Sequence, residues 1–242
     1  MNQGKKVEVD PFEALEALER RTFGERYLKF APQFVMFRRG YQYCLELLHH
    51  LGDRKPEDDC DRVLRDLACD TLDSLRVAQH ALLGGYDNQC LVLLRRTVET
   101  TSLMSYFINY PAEVGRWLNQ KRIAPASVRK ALDGAKVREP EDHLREMYRV
   151  YSLFSHVNRE TVFQRLLGEP NHFTIGAQGN SPEPAVGAVV RELLGQMMWF
   201  VDVSALAFIK VGSTLSEEYK ARVLAYRYEV QDVVKELHPL FF

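Results

Sequence analysis

The chain has 242 residues, of which 46% are hydrophobic, and this length suffices for one substantial core. Its 32 basic and 33 acidic residues give a formal net charge of -1, which excludes the broad positive surface of proteins that hold nucleic acid through phosphates alone. The N-terminus lacks the apolar core of a signal peptide, and no run approaches the roughly 18 apolar residues of a spanning helix. We therefore expect one cytoplasmic domain without membrane association.

Helical periodicity runs through most of the chain. Residues 1–9 are expected to be loose, and Asp10 followed by Pro11 predicts the start of a first helix, whose apolar residues include Phe12 and Phe23. Apolar spacing, turn residues and proline positions predict up to eight further helices. In chain order they cover about residues 32–52, 62–83, 88–110, 112–122, 125–135, 141–167, 185–211 and 216–237.

No alternation of apolar and polar residues typical of strands interrupts this pattern. The chain is therefore predicted to be an all-α, single-domain bundle of about seven to nine helices, joined mostly by short turns. Residues 169–184, rich in Pro, Gly and Asn, are the exception and are expected to form a long polar loop. Loops of this length in compact domains are more often functional or mobile than idle. The segments 112–122 and 125–135 are expected to lie on the outside of the bundle.

The helix predicted over residues 88–110 has apolar residues on all sides, which is typical of a helix at the centre of a bundle. Such a helix should not carry free charges. Arg95 and Glu99 stand four residues apart on it, with Ser102 and Tyr106 along the same line. They are expected either to pair with each other or to face a polar partner on a neighbouring helix.

Metal and redox chemistry find little support in the sequence. The four cysteines are scattered without a Cys-x-x-Cys pair, and we expect all of them to be reduced and buried: Cys44, Cys60, Cys69 and Cys90. Glu46 and His49 have the Glu-x-x-His spacing of a carboxylate-bridged di-iron bundle, but the second helical copy of this element is missing. We expect no metal and no cofactor.

The helix predicted over residues 141–167 carries a polar stripe formed by Arg149, Ser152, His156 and Arg159. Arg149 and His156 are two turns apart, or roughly 10 Å along one face. An arginine can bind a phosphate and stabilise developing charge, and a histidine can transfer a proton near neutral pH. A ribose 2'-hydroxyl acting as nucleophile would need no metal. The alternative is a core histidine held by Ser152 or Glu99, with the arginines in solvent.

Two elements of the chain resemble an uncharacterised bacterial family of HEPN-like helical domains. In that family a helix with Arg-x-x-x-Glu faces a later helix with Tyr-x-x-x-Ser-x-x-x-His. Here the first element is Arg95 to Glu99, and the second consists of Tyr148, Ser152 and His156. The polar loop and the two closing apolar helices fit the same arrangement.

The resemblance covers about residues 60–210, which would form the HEPN-like core. It implies a metal-independent endoribonuclease, or an RNA- or nucleotide-binding module, of a bacterial toxin or antiphage defence system. Active members use an arginine, four to six residues and a histidine, commonly at a homodimer interface, and Arg149 and His156 satisfy this count as the implied catalytic pair. A cognate protein partner is also implied. The supporting or substrate-binding residues would be Arg95, Glu99, Tyr148, Ser152 and Arg159.

A non-catalytic protein-interaction or scaffold module is the alternative, with the polar line serving packing. The near-neutral charge favours it, as does Val150, because active members usually have a polar residue directly after the arginine. A homodimer is also suggested by the contiguous apolar residues Met197, Met198, Trp199 and Phe200, although these could equally be buried in the core.

Overall fold

A computed structural model of the chain describes residues 10–119, 121, 123–134, 149 and 183–237. Eight α-helices and no strands occur in these ranges, which confirms the predicted all-α class and the expected number of helices. The helices are α1 (Pro11–Lys29), α2 (Ala31–Gly52), α3 (Asp59–Leu83), α4 (Asp87–Asn109), α5 (Glu113–Leu118), α6 (Pro125–Gly134), α7 (Glu183–Lys210) and α8 (Glu217–Val234).

Side-chain caps fix three of the helix starts, and those of α1 and α8 lie where the sequence predicts them, whereas α3 begins three residues before its predicted start at 62. The Asp10 side chain accepts a hydrogen bond from the backbone N–H of Phe12 at 2.9 Å, with Pro11 at the first helical position. Asp58 and Ser216 cap α3 and α8 in the same manner. Each cap satisfies a donor that the helix leaves without an internal partner, and so sets where the helix begins.

The core lies between α2, α3, α4 and α7. α3 and α4 are neighbours joined by a short turn, and α7 packs against α2, α3, α4 and α8. Fully buried side chains from these helices fill the space between them, among them Phe37, Leu75, Leu94, Phe107 and Phe200. α4 contacts α3, α6 and α7, but its Val92 is 41% exposed, so the helix packs into the bundle without being enclosed on all sides as predicted.

α1 departs from the apolar pattern read in the sequence. Its buried residues are Thr22 and Arg26, whereas Phe12 and Phe23 are exposed. Arg26 forms a buried ion pair with Asp87 at the start of α4. The helix predicted from residue 88 begins at Asp87 itself, and the carboxylate of Asp87 binds the guanidinium of α1.

α7 is the most apolar helix of the described chain. It begins at Glu183, so the last two residues of the predicted loop 169–184 are helical, and the rest of that loop lies outside the described residues. By length and composition α7 is long and apolar enough to cross a membrane, with a mean hydropathy of 1.4 over 18 residues. For a single helix this is weak evidence, because 56% of that window is buried and core helices of soluble proteins meet the same criterion.

The apolar run in α7 is largely used by the core of the chain itself. Met197 and Phe200 are fully buried, and Met198 and Trp199 are partly buried against the core. Simple burial therefore accounts for these four residues, and the homodimer stays a prediction without support from them.

The expected burial of all four cysteines holds for only two of them. Cys44 and Cys90 are buried, Cys60 is half-buried and Cys69 is exposed on α3. Burial raises the pKa of the Cys44 thiol to about 12, and burial followed by the charge of nearby acidic residues also raises the pKa of Cys69. A raised thiol pKa disfavours the nucleophilic thiolate, so none of these groups has the environment of a reactive cysteine.

Candidate functional site

The structure describes three of the seven residues of the predicted polar site. Arg95 and Glu99 lie on α4, and Arg149 has helical backbone and an exposed side chain. The other members of the site lie outside the described residues: Tyr148, Ser152, His156 and Arg159. The described part of the candidate site therefore consists of α4 and the helices around it.

Arg95 and Glu99 form an ion pair in the middle of α4. The Nε of Arg95 lies 3.3 Å from Oε1 of Glu99, and the side chains are 21% and 38% exposed. The first of the two sequence alternatives, pairing with each other, is thus confirmed. Between them Val98 turns into the core, and one turn further Ser102 is buried.

Glu99 and Ser102 line a cavity of about 260 Å³ beside α4. Most of the wall is apolar: Leu67 comes from α3, Val98 and Leu103 from α4, Trp117 from α5 and Val128 from α6. The described polar side chains in the wall are those of Glu99, Thr100, Ser102 and Arg129. A mostly apolar concavity with a few polar groups is the usual composition of a small-molecule site.

Trp117 forms one wall of this cavity, and its ring is fixed by packing. The centroids of Trp117 and Phe107 are 5.8 Å apart, with the planes at 63°, an edge-to-face arrangement. Phe107 is fully buried in α4, so the indole is supported from the core side. The wall is therefore a pre-positioned aromatic surface.

Sequence reasoning missed this cavity because it placed residues 112–135 on the outside. In the structure Val114, Val128 and Leu132 are buried, so α5 and α6 pack onto the bundle. The available signal was the short apolar stripes on these helices, with Val114 three residues before Trp117 and Val128 four before Leu132. Such stripes mark a packed face even on a short, charged helix.

Tyr106, the fourth residue of the line predicted on α4, is not among the cavity residues. It is partly buried, and its ring lies 5.0 Å from that of Tyr110. Burial, and after it the charge of Glu113, raises the pKa of the Tyr106 hydroxyl. It therefore stays neutral near physiological pH and does not serve as a base there.

Glu46 of the Glu-x-x-His element and the acidic residue Asp61 at the start of α3 are both engaged in ion pairs. Glu46 binds Arg222 of α8, with Oε2 and Nη2 2.7 Å apart, so it is not presented with His49 as a pair of metal ligands. Asp61 is buried and accepts hydrogen bonds from Arg65, one of them at 2.8 Å. Within the described ranges no group of three or more His, Cys, Asp or Glu is arranged to hold a metal ion.

Asp61 joins three parts of the bundle. Arg54, which follows α2, contacts its Oδ2 at 3.5 Å and donates to the carbonyl of Val211, next to α7, at 2.6 Å. Burial by itself would raise the pKa of Asp61, but the hydrogen bonds from Arg65 and the Glu57 N–H, with the charges of both arginines, lower it. The cluster is a structural junction between helix ends.

Comparison of the chain with protein-family models, with curated proteins and with solved structures finds no match. The resemblance to HEPN-like domains therefore stays a prediction based on the residues quoted above.

Proposed function

We propose that the chain is a HEPN-like domain that acts on RNA or on a nucleotide, as a metal-independent endoribonuclease of a bacterial toxin or antiphage system. The observation that carries the proposal is the Arg95–Glu99 ion pair beside a ligand-sized cavity. It belongs to the first of the two elements in the resemblance, and it lies on α4, which packs against α3, α6 and α7.

In the proposed reaction the ribose 2'-oxygen bonds to the adjacent phosphorus and the bond from phosphorus to the 5'-oxygen breaks. Arg149 orients the phosphate and stabilises its developing negative charge. His156 either accepts the proton of the 2'-hydroxyl or donates one to the leaving 5'-oxygen, and water carries out the other proton transfer, so that the proton count balances. The products are a 2',3'-cyclic phosphate and a 5'-hydroxyl end. Glu99 and Ser152 would hold the imidazole.

Around these groups, further positive charge would come from Arg95 or Arg159, and Tyr148 belongs to the same stripe. Because the net charge of the chain is -1, such local positive charge would have to hold the phosphates. Cleavage should therefore weaken steeply as salt rises.

The test compares RNA cleavage by the wild type, His156→Ala and Arg149→Ala in the presence of a metal chelator. The wild type should release fragments with cyclic phosphate ends, and each variant should lose at least about 100-fold of the rate, the usual contribution of a general acid or base. His49→Ala is the matched control, because it removes an exposed histidine of α2. Equal cleavage by wild type and His156→Ala, or none by either, would refute the catalytic proposal.

A non-catalytic interaction module is the second candidate, and a specific observation favours it. The last two helices carry four large apolar side chains that are about half exposed: Leu206, Ile209, Leu224 and Tyr228. Residues of this kind are common at protein interfaces. A chain that cleaves no RNA but captures a protein only while these four residues are intact would support this candidate.

A further inference from the structure

We propose that the cavity beside α4 is a binding site for a guanine-type base, a planar heterocycle that presents two adjacent N–H donors to the carboxylate of Glu99. The site would accept the base of a nucleoside or of an unpaired nucleotide in RNA. Base binding shares Glu99 with the proposed cleavage, in which this carboxylate would help to hold the imidazole, but it needs neither Arg149 nor His156, so each proposal can fail without the other.

The size and the walls of the cavity favour a flat, apolar body. Its volume of about 260 Å³ exceeds the 150 Å³ or so of an apolar protein cavity known to hold a benzene ring. Trp117 supplies an aromatic surface that Phe107 supports from behind. Aromatic side chains bind bases by stacking. Val128 and Leu103 close the wall with aliphatic carbon.

The polar edge of the ligand follows from Glu99. An ionised carboxylate only accepts hydrogen bonds, and its two oxygens match a pair of parallel donors. Arg95 contacts Oε1, and in the described part of the chain Oε2 receives no hydrogen bond. Because Glu99 lines the cavity and its Oε2 can accept further hydrogen bonds, the site suits a ligand that donates hydrogen bonds.

Among the common bases, guanine fits this edge best. Its ring N–H and exocyclic amino group are adjacent donors that can both point at one carboxylate. Adenine and cytosine place a ring acceptor beside the amino group, and that lone pair would face the negative charge of Glu99. The site should therefore prefer guanosine to adenosine and cytidine.

Intrinsic fluorescence gives a direct assay, because the chain has two tryptophans, Trp117 and Trp199. In Trp199→Phe, Trp117 is the sole indole, and guanosine should quench it saturably below about 1 mM, a weak but specific range. In Trp117→Phe the remaining indole should not respond. Adenosine and cytidine should quench the Trp199→Phe protein at least 10-fold more weakly.

Two further variants in the Trp199→Phe background test the contacts. Glu99→Gln should weaken guanosine binding at least 10-fold, because one oxygen becomes an N–H₂ that opposes a ligand donor. Glu217→Gln makes the same change in an exposed ion pair of α8 and should leave binding unchanged. Val128→Phe should abolish binding by filling the cavity, with helix content by circular dichroism as the check that it folds.

The inference is overturned if no nucleoside quenches Trp117 saturably, if adenosine binds as tightly as guanosine, or if Glu99→Gln binds guanosine like the wild type. Should Val128→Phe fail to fold, the nucleoside preference and Glu99→Gln decide the question without it. Guanosine binding by a protein that cleaves no RNA would support this site while refuting the catalytic proposal. RNA cleavage by a protein that does not bind guanosine would support the catalytic proposal and refute the base-binding site.

Discussion

The ion pair between Arg26 and Asp87 should be among the most costly polar contacts to break. The two side chains are 8% and 10% exposed, and Nη2 of the arginine lies 3.1 Å from Oδ2 of the aspartate. Nη1 donates to Oδ1 and also to the carbonyl of Leu82, at 2.5 Å. The guanidinium therefore ties α1 to the turn between α3 and α4, and the only other buried residue of α1 is Thr22.

The change to make is Asp87→Asn, which keeps the size of the side chain and removes its charge. Two hydrogen bonds between charged groups are weakened, each worth about 1.5–3 kcal/mol. The buried guanidinium also loses the charge of Asp87, and breaking a buried pair costs about 3–5 kcal/mol in total. We expect the free energy of unfolding to fall by about 3–5 kcal/mol, a large part of the 5–15 kcal/mol or so of a typical domain.

The assay is urea unfolding followed by circular dichroism, with Glu16→Gln as control because Glu16 pairs with Arg20 on the exposed side of the same helix. Such surface pairs contribute about 0–1 kcal/mol. Arg26→Met combined with Asp87→Leu removes both charges of this pair, so the double variant should lose less than Asp87→Asn. The reasoning is refuted if Asp87→Asn costs no more than Glu16→Gln.

The remaining predictions concern a buried hydroxyl, a close helix contact and an acid-sensitive junction. Tyr226 is fully buried and its hydroxyl has no hydrogen-bond partner within the described residues, so Tyr226→Phe should keep or raise the urea midpoint, and a loss above about 1 kcal/mol would contradict this. In Gly40→Ala the new methyl would lie 2.8 Å from Cζ of Tyr226, so unfolding should become easier by about 1–3 kcal/mol. The pKa of Asp61 is lower in the folded than in the unfolded chain, so Asp61 stabilises the fold above its unfolded pKa, and this stabilisation is lost as the pH falls through its folded pKa. The free energy of unfolding of Asp61→Asn should therefore depend less on acid pH than that of the wild type. An unchanged pH dependence would refute this.

The helices of this chain could be predicted from sequence because their signals are local. Apolar spacing at the helical period and the capping residues Asp10 and Ser216 act within a few residues of each other. The Arg95–Glu99 pair was predictable for the same reason, since residues four apart on a helix are neighbours whatever surrounds them.

The features that could not be predicted depend on which helices meet. Asp87 has the residue type and position of a cap, but the arrival of Arg26 from α1 provides a stronger partner for its carboxylate. The same encounter explains why α1 buries a charged residue and exposes Phe12. The cavity likewise requires that Trp117 pack against Phe107 of α4, and the local sequence around either residue does not indicate this contact. The Tyr148 to His156 element of the predicted site lies outside the described residues, so it stays a prediction.

Stability by itself gives no reason for a carboxylate at position 99, and this separates a structural from a functional role. An ion pair between residues four apart on a helix contributes about 0.3–0.5 kcal/mol. Fully burying a methionine side chain would contribute about 1.5–3 kcal/mol, and a partly filled cavity wall a fraction of that. Glu99→Met should therefore unfold at the same or higher urea concentration than the wild type, although it leaves Arg95 without this contact. It should at the same time lose guanosine binding. A marked loss of stability in Glu99→Met would show instead that the carboxylate is kept for its part in the packing of α4.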